Sequence, residues 1–166
     1  MKTRIIALVN QKGGVGKTSC TLNIGAGLAN ERRRVLYVDA DPQGNLSTAL
    51  GIQTDGENTL FEVMKGDCPT KDRIVQTANG ADIIPADLAL AAADLVLANE
   101  PGKELLLREA LSPVKDQYDY ILIDCPPSLG LMTIVSLTAA NEVFVVMSPE
   151  YLPTKGLVQL TNTIAI

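Results

Sequence analysis

The chain has 166 residues, 46% of them hydrophobic and 20% charged, which suits one domain built around one core. It contains no histidine, so the usual general base and zinc ligand are missing, and chemistry falls to carboxylates, lysines, hydroxyls and backbone. A formal net charge of −5 leaves no global footprint for nucleic acid, and no segment reaches the roughly 20 apolar residues that span a bilayer.

Cys20, Cys68 and Cys125 lie far apart with no CxxC pair, so they read as small buried hydrophobes in a reducing setting. Met1–Arg4 followed by Ile5–Val9 imitates a signal peptide only faintly, because polar Asn10-Gln11-Lys12 follows at once; a cytoplasmic protein is expected.

Along the chain, Ile5–Val9, Val35–Val38, Ile121–Ile123 and Val143–Met147 are apolar throughout rather than alternating, the pattern of strands buried on both faces of a parallel sheet. Ile83-Ile84 before Pro85 is a weaker fifth strand. Between them, Thr18–Asn30, Leu88–Leu97, Lys103–Leu111, Leu131–Ala139 and Gly156–Ile166 carry helical periodicity, so the expected fold is a three-layer α/β domain of βαβ units. Asp55–Asn58 and Lys65–Lys71 read as surface loops. Arg32-Arg33-Arg34, the basic run, reads as favourable charge at a helix C-terminus, with a nucleic-acid contact as the alternative. The last helical pattern stops at Thr-Ile-Ala-Ile without a cap, which reads as a domain cut short.

The decisive segment is Asn10-Gln11-Lys12-Gly13-Gly14-Val15-Gly16-Lys17-Thr18, between a strand and a helix. Glycines let successive backbone N–H groups converge on one anion, and the helix start adds its positive end. Lys17 is placed to reach β- and γ-phosphate oxygens, and the Thr18 hydroxyl to ligate Mg²⁺, which takes oxygen ligands. The first glycine of the usual pattern is Gln11 here, and a second lysine, Lys12, precedes Gly13.

Carboxylates follow at two further strand ends, where open α/β sheets place their ligands. Asp39 and Asp41 close the strand Val35–Val38, in the stretch DxDPQGN; a carboxylate there can order an attacking water or accept its proton. Asp39 is expected to hold the loop and the Mg²⁺ shell. Asp124 ends Ile121–Ile123 in the Walker B pattern, where an aspartate holds Mg²⁺, usually through water. Cys125 beside it has no histidine to activate it and reads as structural.

Lys12–Thr18, the DxDPQGN stretch and Asp124–Gly130 (DCPPSLG) resemble the ParA/MinD group of ATPases, whose deviant phosphate loop reads KGGxGK[ST], and within it ParA/Soj-type partition ATPases. The likeness continues through Ile84-Pro85-Ala86, Leu88–Leu97, Arg108–Asp124 and Gly156–Thr163. It implies a P-loop NTPase fold, a mostly parallel sheet flanked by helices, with residues 1–166 forming the N-terminal part of one domain. It implies ATP and Mg²⁺ as cofactors, with Ser19 joining Lys12–Thr18 in the nucleotide set. It assigns alignment of the hydrolytic water to Asp41 and places Glu150, in Ser148-Pro149-Glu150-Tyr151, near the dimer interface and ribose. An ATP-dependent homodimer is implied, with Lys12 crossing to the partner's phosphates as an arginine finger does. A slow ATPase stimulated by a ParB-type partner, non-specific DNA binding and nucleoid association follow, serving plasmid or chromosome partition. The family's DNA-contacting residues and adenine loop fall beyond residue 166.

Other readings remain open. One is a nucleotide-binding interaction module with little turnover. Another is a MinD-like positioning ATPase, although no membrane helix is visible. Iron–sulfur relatives need bridging cysteines that do not match this pattern, and amide-forming synthetases share the loop but not DPQGN.

Overall fold

The computed structural model describes residues 2–54, 59–97 and 100–148. Its centre is a sheet in the order β3-β4-β2-β5-β1-β6. The strands are β1 (Arg4–Val9), β2 (Val35–Asp39), β3 (Val75–Gln76), β4 (Asp82–Ile84), β5 (Tyr120–Asp124) and β6 (Glu142–Val145). All neighbours pair in parallel except β3, which runs antiparallel to β4.

Consecutive residues of each central strand serve different cores, which is why the runs are apolar without a break. Ile5, Ala7 and Val9 join Leu36, Val38, Ile121 and Ile123 in one cluster. That cluster is completed from α3 (Leu60–Lys65), α5 (Leu106–Leu111) and α6 (Leu131–Ala139). Ile6 and Leu8 join Val35, Tyr37, Ile83 and Leu122 in the other, under α1 (Lys17–Asn30) and α2 (Asn45–Ala49). Helix, sheet and helix make the three expected layers.

Several elements differ from the expectations. The pattern Leu88–Leu97 resolves into a 3₁₀ turn, Leu88–Ala92, and the short α4 (Ala93–Val96). Asp87 caps the turn by accepting from the Ala89 N–H at 3.0 Å, and only Leu90, Ala93 and Leu97 of the segment are buried hydrophobics. Lys103–Leu111 likewise begins as 3₁₀ before α5. The expected loop Lys65–Lys71 holds the end of α3 and the start of a 3₁₀ turn, Thr70–Arg73. Strand β6 stops at Val145, short of Met147, and is half-buried rather than buried on both faces, with Phe144 exposed. Among the described residues its only pairing is with β1. The Asp55–Asn58 loop and the Gly156–Ile166 pattern lie outside the described residues.

The basic run lies just past α1, whose last turn holds no basic residue. After α1 stops, Arg32 takes a left-handed φ of 58°, its N–H bonds Ala29 O, and the Arg33 N–H bonds Leu28 O. Arg34 forms an exposed ion pair with Asp119 at 2.9 Å. At the far edge, Arg4 makes a two-point pair with Glu142, joining β1 to β6, and lies 5.4 Å from the Tyr120 ring centroid.

Helix α1 lies so close to β2 that a Cβ on Gly25 would overlap the Tyr37 ring, while one on Gly27 would meet nothing. The Tyr37 hydroxyl donates to Leu22 O at 2.9 Å, which pins the ring. Gly25→Ala should therefore cost about 1–3 kcal/mol as overpacking. Gly27→Ala, in the same helix, should be neutral or stabilise by up to about 1 kcal/mol through helix propensity. Urea unfolding of the two variants checks the pair, and equal effects would contradict this packing.

Candidate functional site

The sheet brings three strand ends to one edge. β1 lies between β5 and β6, and β5 lies between β1 and β2. In register, Leu8 of β1 stands opposite Asp124 of β5, and Asp39 of β2 stands opposite the same Asp124. The glycine loop leaves β1, the DxDPQGN stretch leaves β2, and the DCPPSLG stretch leaves β5. Three segments far apart in sequence thus meet at the C-terminal edge of adjacent parallel strands, the place where such sheets bind ligands.

The loop is open where a phosphate would sit and anchored beneath. Lys12, Gly13, Gly14 and Ser19 are exposed, Val15, Gly16 and Thr18 half-buried, and Lys17 buried. Gly14 and Gly16 take φ values of 73° and 94°, a left-handed backbone that residues with a Cβ rarely adopt. Gly16 is the N-cap of α1 and has no side chain to bond the first turn, so the helix N–H groups there are left for an anion. The Lys17 ammonium reaches back to Lys12 O at 3.5 Å. At the loop entrance, the Asn10 amide accepts from the Lys12 N–H at 3.0 Å and donates to Val146 O at 2.7 Å.

Both strand-end carboxylates are removed from water, Asp39 fully and Asp124 to 1% exposure. Burial pushes the Asp124 carboxyl up to about 7, against the hydrogen bonds from Thr18 and Thr21 that favour its charged form, and nearby Asp39 and Asp41 push the same way as burial. Burial likewise lifts Asp39 to about 6, opposed by the donors from Ser47 and Asp41. Thr21 Oγ1 donates to Asp124 Oδ1 at 3.3 Å. Asp124 Oδ2 is buried without a hydrogen-bond partner among the described residues. Such an oxygen, beside Thr18 at the end of a phosphate-type loop, fits a hard cation or its bound water, which take oxygen donors. Among the described residues, no group of three or more His, Cys, Asp or Glu could hold a metal by itself. A cation here would need phosphate oxygens or waters besides.

Asp39 spends its oxygens on the loop. Oδ2 accepts from Ser47 N at 2.9 Å and Ser47 Oγ at 2.7 Å, and Oδ1 from Asp41 N at 3.3 Å. This is the loop-holding part of its expected role. Asp41, 8% exposed, folds its own turn by accepting from the Gln43 N–H at 3.0 Å. Glu150 lies outside the described residues. Cys125 is buried, its thiol pushed up to about 12 by burial, and is inert as expected. Asn10, Thr21 and Ser47 carry no motif signal of their own, and only the geometry shows what they hold.

A sheet that delivers a glycine loop, its terminal lysine and a buried aspartate to one edge is the architecture of the P-loop NTPases, and this domain is one of them. A family model described as an AAA domain matches residues 3–166. Sporulation initiation inhibitor protein Soj of Bacillus subtilis is 47% identical over 98% of this chain and 65% of its own length. Chromosome partitioning protein ParA of Myxococcus xanthus is 45% identical over 97% of this chain and 58% of its own length. Among solved structures, cobyrinic acid a,c-diamide synthase from Mycobacterium smegmatis, with bound ATP analog and magnesium, superposes with a TM-score of 0.95 at 41% identity, covering 98% of this chain and 65% of that one. The chain belongs to this AAA-domain family, in the group of ParA/Soj-type P-loop proteins. It spans less than two thirds of the curated relatives it matches. Among the described residues, no helix is long and apolar enough to cross a membrane.

The buried carboxylates set a pH dependence. Folded Asp39 and Asp124 hold their protons to about 6 and about 7, above the unfolded value of about 4, so the folded state binds more protons in between. Their effect on stability is most favourable below about pH 4 and is lost as pH rises to about 7. Asp124→Asn should flatten this slope in nucleotide-free protein and raise stability at pH 8 by roughly 1–3 kcal/mol. Urea midpoints at pH 5 and pH 8 read it; a slope equal to wild type would contradict it.

Proposed function

We propose that this chain is the nucleotide-binding part of an ATP-hydrolysing switch that acts in DNA partition. The observation that carries the reading is the buried Asp124 Oδ2, without a hydrogen-bond partner among the described residues and in register with Asp39 at the foot of the glycine loop. It is supported by the neighbour that holds an ATP analog and magnesium and by the partition proteins among the relatives.

In this reading, backbone N–H groups of Gly13–Thr18 and the start of α1 surround the phosphates, with Ser19 in the next position. Lys17 neutralises the β- and γ-oxygens. Thr18 and Asp124 would hold Mg²⁺, with Asp39 in its outer shell, and the ion would supply charge neutralisation on the phosphates. Asp41 orients the attacking water by accepting its hydrogen bond. No strong base is present, so turnover is slow. Lys12 acts from a second subunit on the first subunit's phosphates, making the ATP-bound homodimer the active form. A ParB-type partner stimulates it, and the dimer binds DNA without sequence preference inside the cytoplasm.

The solved diamide synthase favours a second reading, an amide-forming synthetase that activates a carboxylic acid with ATP. The two separate cleanly, since a switch releases phosphate from ATP and water alone, whereas a synthetase requires acid and amine donor.

Lys17→Ala should abolish tight ATP binding. Asp41→Ala should lower kcat by about 10²-fold or more while affinity for a non-hydrolysable analogue stays within a few fold. Lys12→Ala should lower turnover by about 10³-fold, on the scale of a finger residue. Mixing Lys12→Ala with Asp41→Ala protein should recover phosphate release, because the mixed dimer holds one complete site. No recovery on mixing would rule out action in trans, and unchanged hydrolysis in both Lys17→Ala and Asp41→Ala would reject the switch.

A further inference from the structure

We propose that Ser47 is a positioning residue for the hydrolysis step, holding the Asp39–Asn45 stretch in the geometry that aims Asp41. The inference rests on the hydrolase reading above. Ser47 is 2% exposed and lies in α2, eight residues after Asp39. Its hydroxyl donates to Asp39 Oδ2 at 2.7 Å and accepts from the Ala86 N–H at 3.1 Å, while its own N–H donates to the same Asp39 oxygen at 2.9 Å. One small side chain therefore ties together the end of β2, the start of α2 and the chain leaving β4.

The buried hydroxyl of Ser136, by contrast, donates only to the carbonyl of Met132, four residues back in its own helix, at 2.6 Å. The Ser47 hydroxyl spans three segments, and the stretch it closes contains Asp41. Within that stretch Asp39 Oδ1 accepts from the Asp41 N–H, and the Gly44 N–H bonds Asp41 O at 2.9 Å. Gly44 has a left-handed φ of 60° and stands so close to Ala86 that a Cβ would come within 2.9 Å of Ala86 O. The loop is thus held against the Ala86 backbone from two sides, by the Gly44 contact and by the Ser47 hydrogen bond. Removing the hydroxyl leaves the buried Ala86 N–H without its acceptor and Asp39 Oδ2 with one donor, so the carboxylate and the turn that hangs from it are free to shift. A small displacement of a water-aligning carboxylate slows the chemical step and leaves phosphate binding at the glycine loop intact.

The experiment compares wild type, Ser47→Ala and Ser47's control Ser136→Ala. The readouts are single-turnover phosphate release, affinity for a non-hydrolysable ATP analogue, and amide hydrogen exchange of residues 41–45. Ser47→Ala should release phosphate at least about tenfold more slowly, bind the analogue within about threefold of wild type, and exchange the 41–45 amides faster. Ser136→Ala should match wild type in rate. The inference is overturned if Ser47→Ala turns over at the wild-type rate, loses analogue binding in proportion to rate, leaves exchange at 41–45 unchanged, or is matched in its rate loss by Ser136→Ala. A wild-type protein that binds the analogue and releases no phosphate sinks the hydrolase reading and with it the part of Ser47 in hydrolysis, whereas faster exchange at 41–45 in Ser47→Ala still shows that its hydroxyl holds the turn.

Discussion

Asp39 and Asp124 stand opposite each other on adjacent parallel strands, both out of reach of water. Burying two carboxylates side by side is costly unless donors or a cation stabilise them, and both are held well above the usual carboxylate range. The two resolve the problem differently. Asp39 is satisfied from within, by Ser47 and the Asp41 backbone, and becomes the post around which its loop folds. Asp124 is satisfied only in part, by Thr18 and Thr21, and keeps one oxygen in reserve. That asymmetry separates a carboxylate that holds its loop from one that keeps an oxygen without a donor among the described residues, although the strand ends look alike.

The neighbouring elements can be understood as support for this pair. The parallel register of β1, β2 and β5 sets the spacing of the two carboxylates, and apolar clusters on both faces keep water away. Helix α1 contributes Lys17, Thr18 and Thr21 from its first turns, and its close seat on β2 through Gly25 fixes their distance from the sheet. Lys17 brings positive charge to the same region from the loop side.

Much of this was readable in the residues. The buried strands announced themselves because a strand facing two cores has no polar position to interrupt it, and Asp39, Asp41 and Asp124 stood out as charges directly after such runs. The long helix α1 was framed by its glycine loop and its basic end. Helices α2 and α3 were missed because five or six residues hold less than two turns, too few for a period to show. Thr59 and Glu62 do form a capping box at α3, which was the available signal. Strand β3 escaped because two exposed residues carry no pattern. The half-buried state of β6 was not legible either, since Val-Phe-Val-Val-Met reads the same with one covered face or two. Ser47 and Asn10 belong to residue types found in any loop or helix end, and their importance comes only from partners far away in sequence.

The amide of Asn10 joins two stretches that otherwise have separate duties. One hand holds the carbonyl of Val146, just past the last described strand, and the other holds the backbone of Lys12, where the phosphate loop begins. A single planar group thus couples the chain leaving β6 to the start of the glycine loop. Two points of the chain 136 positions apart therefore share one anchor at the glycine loop.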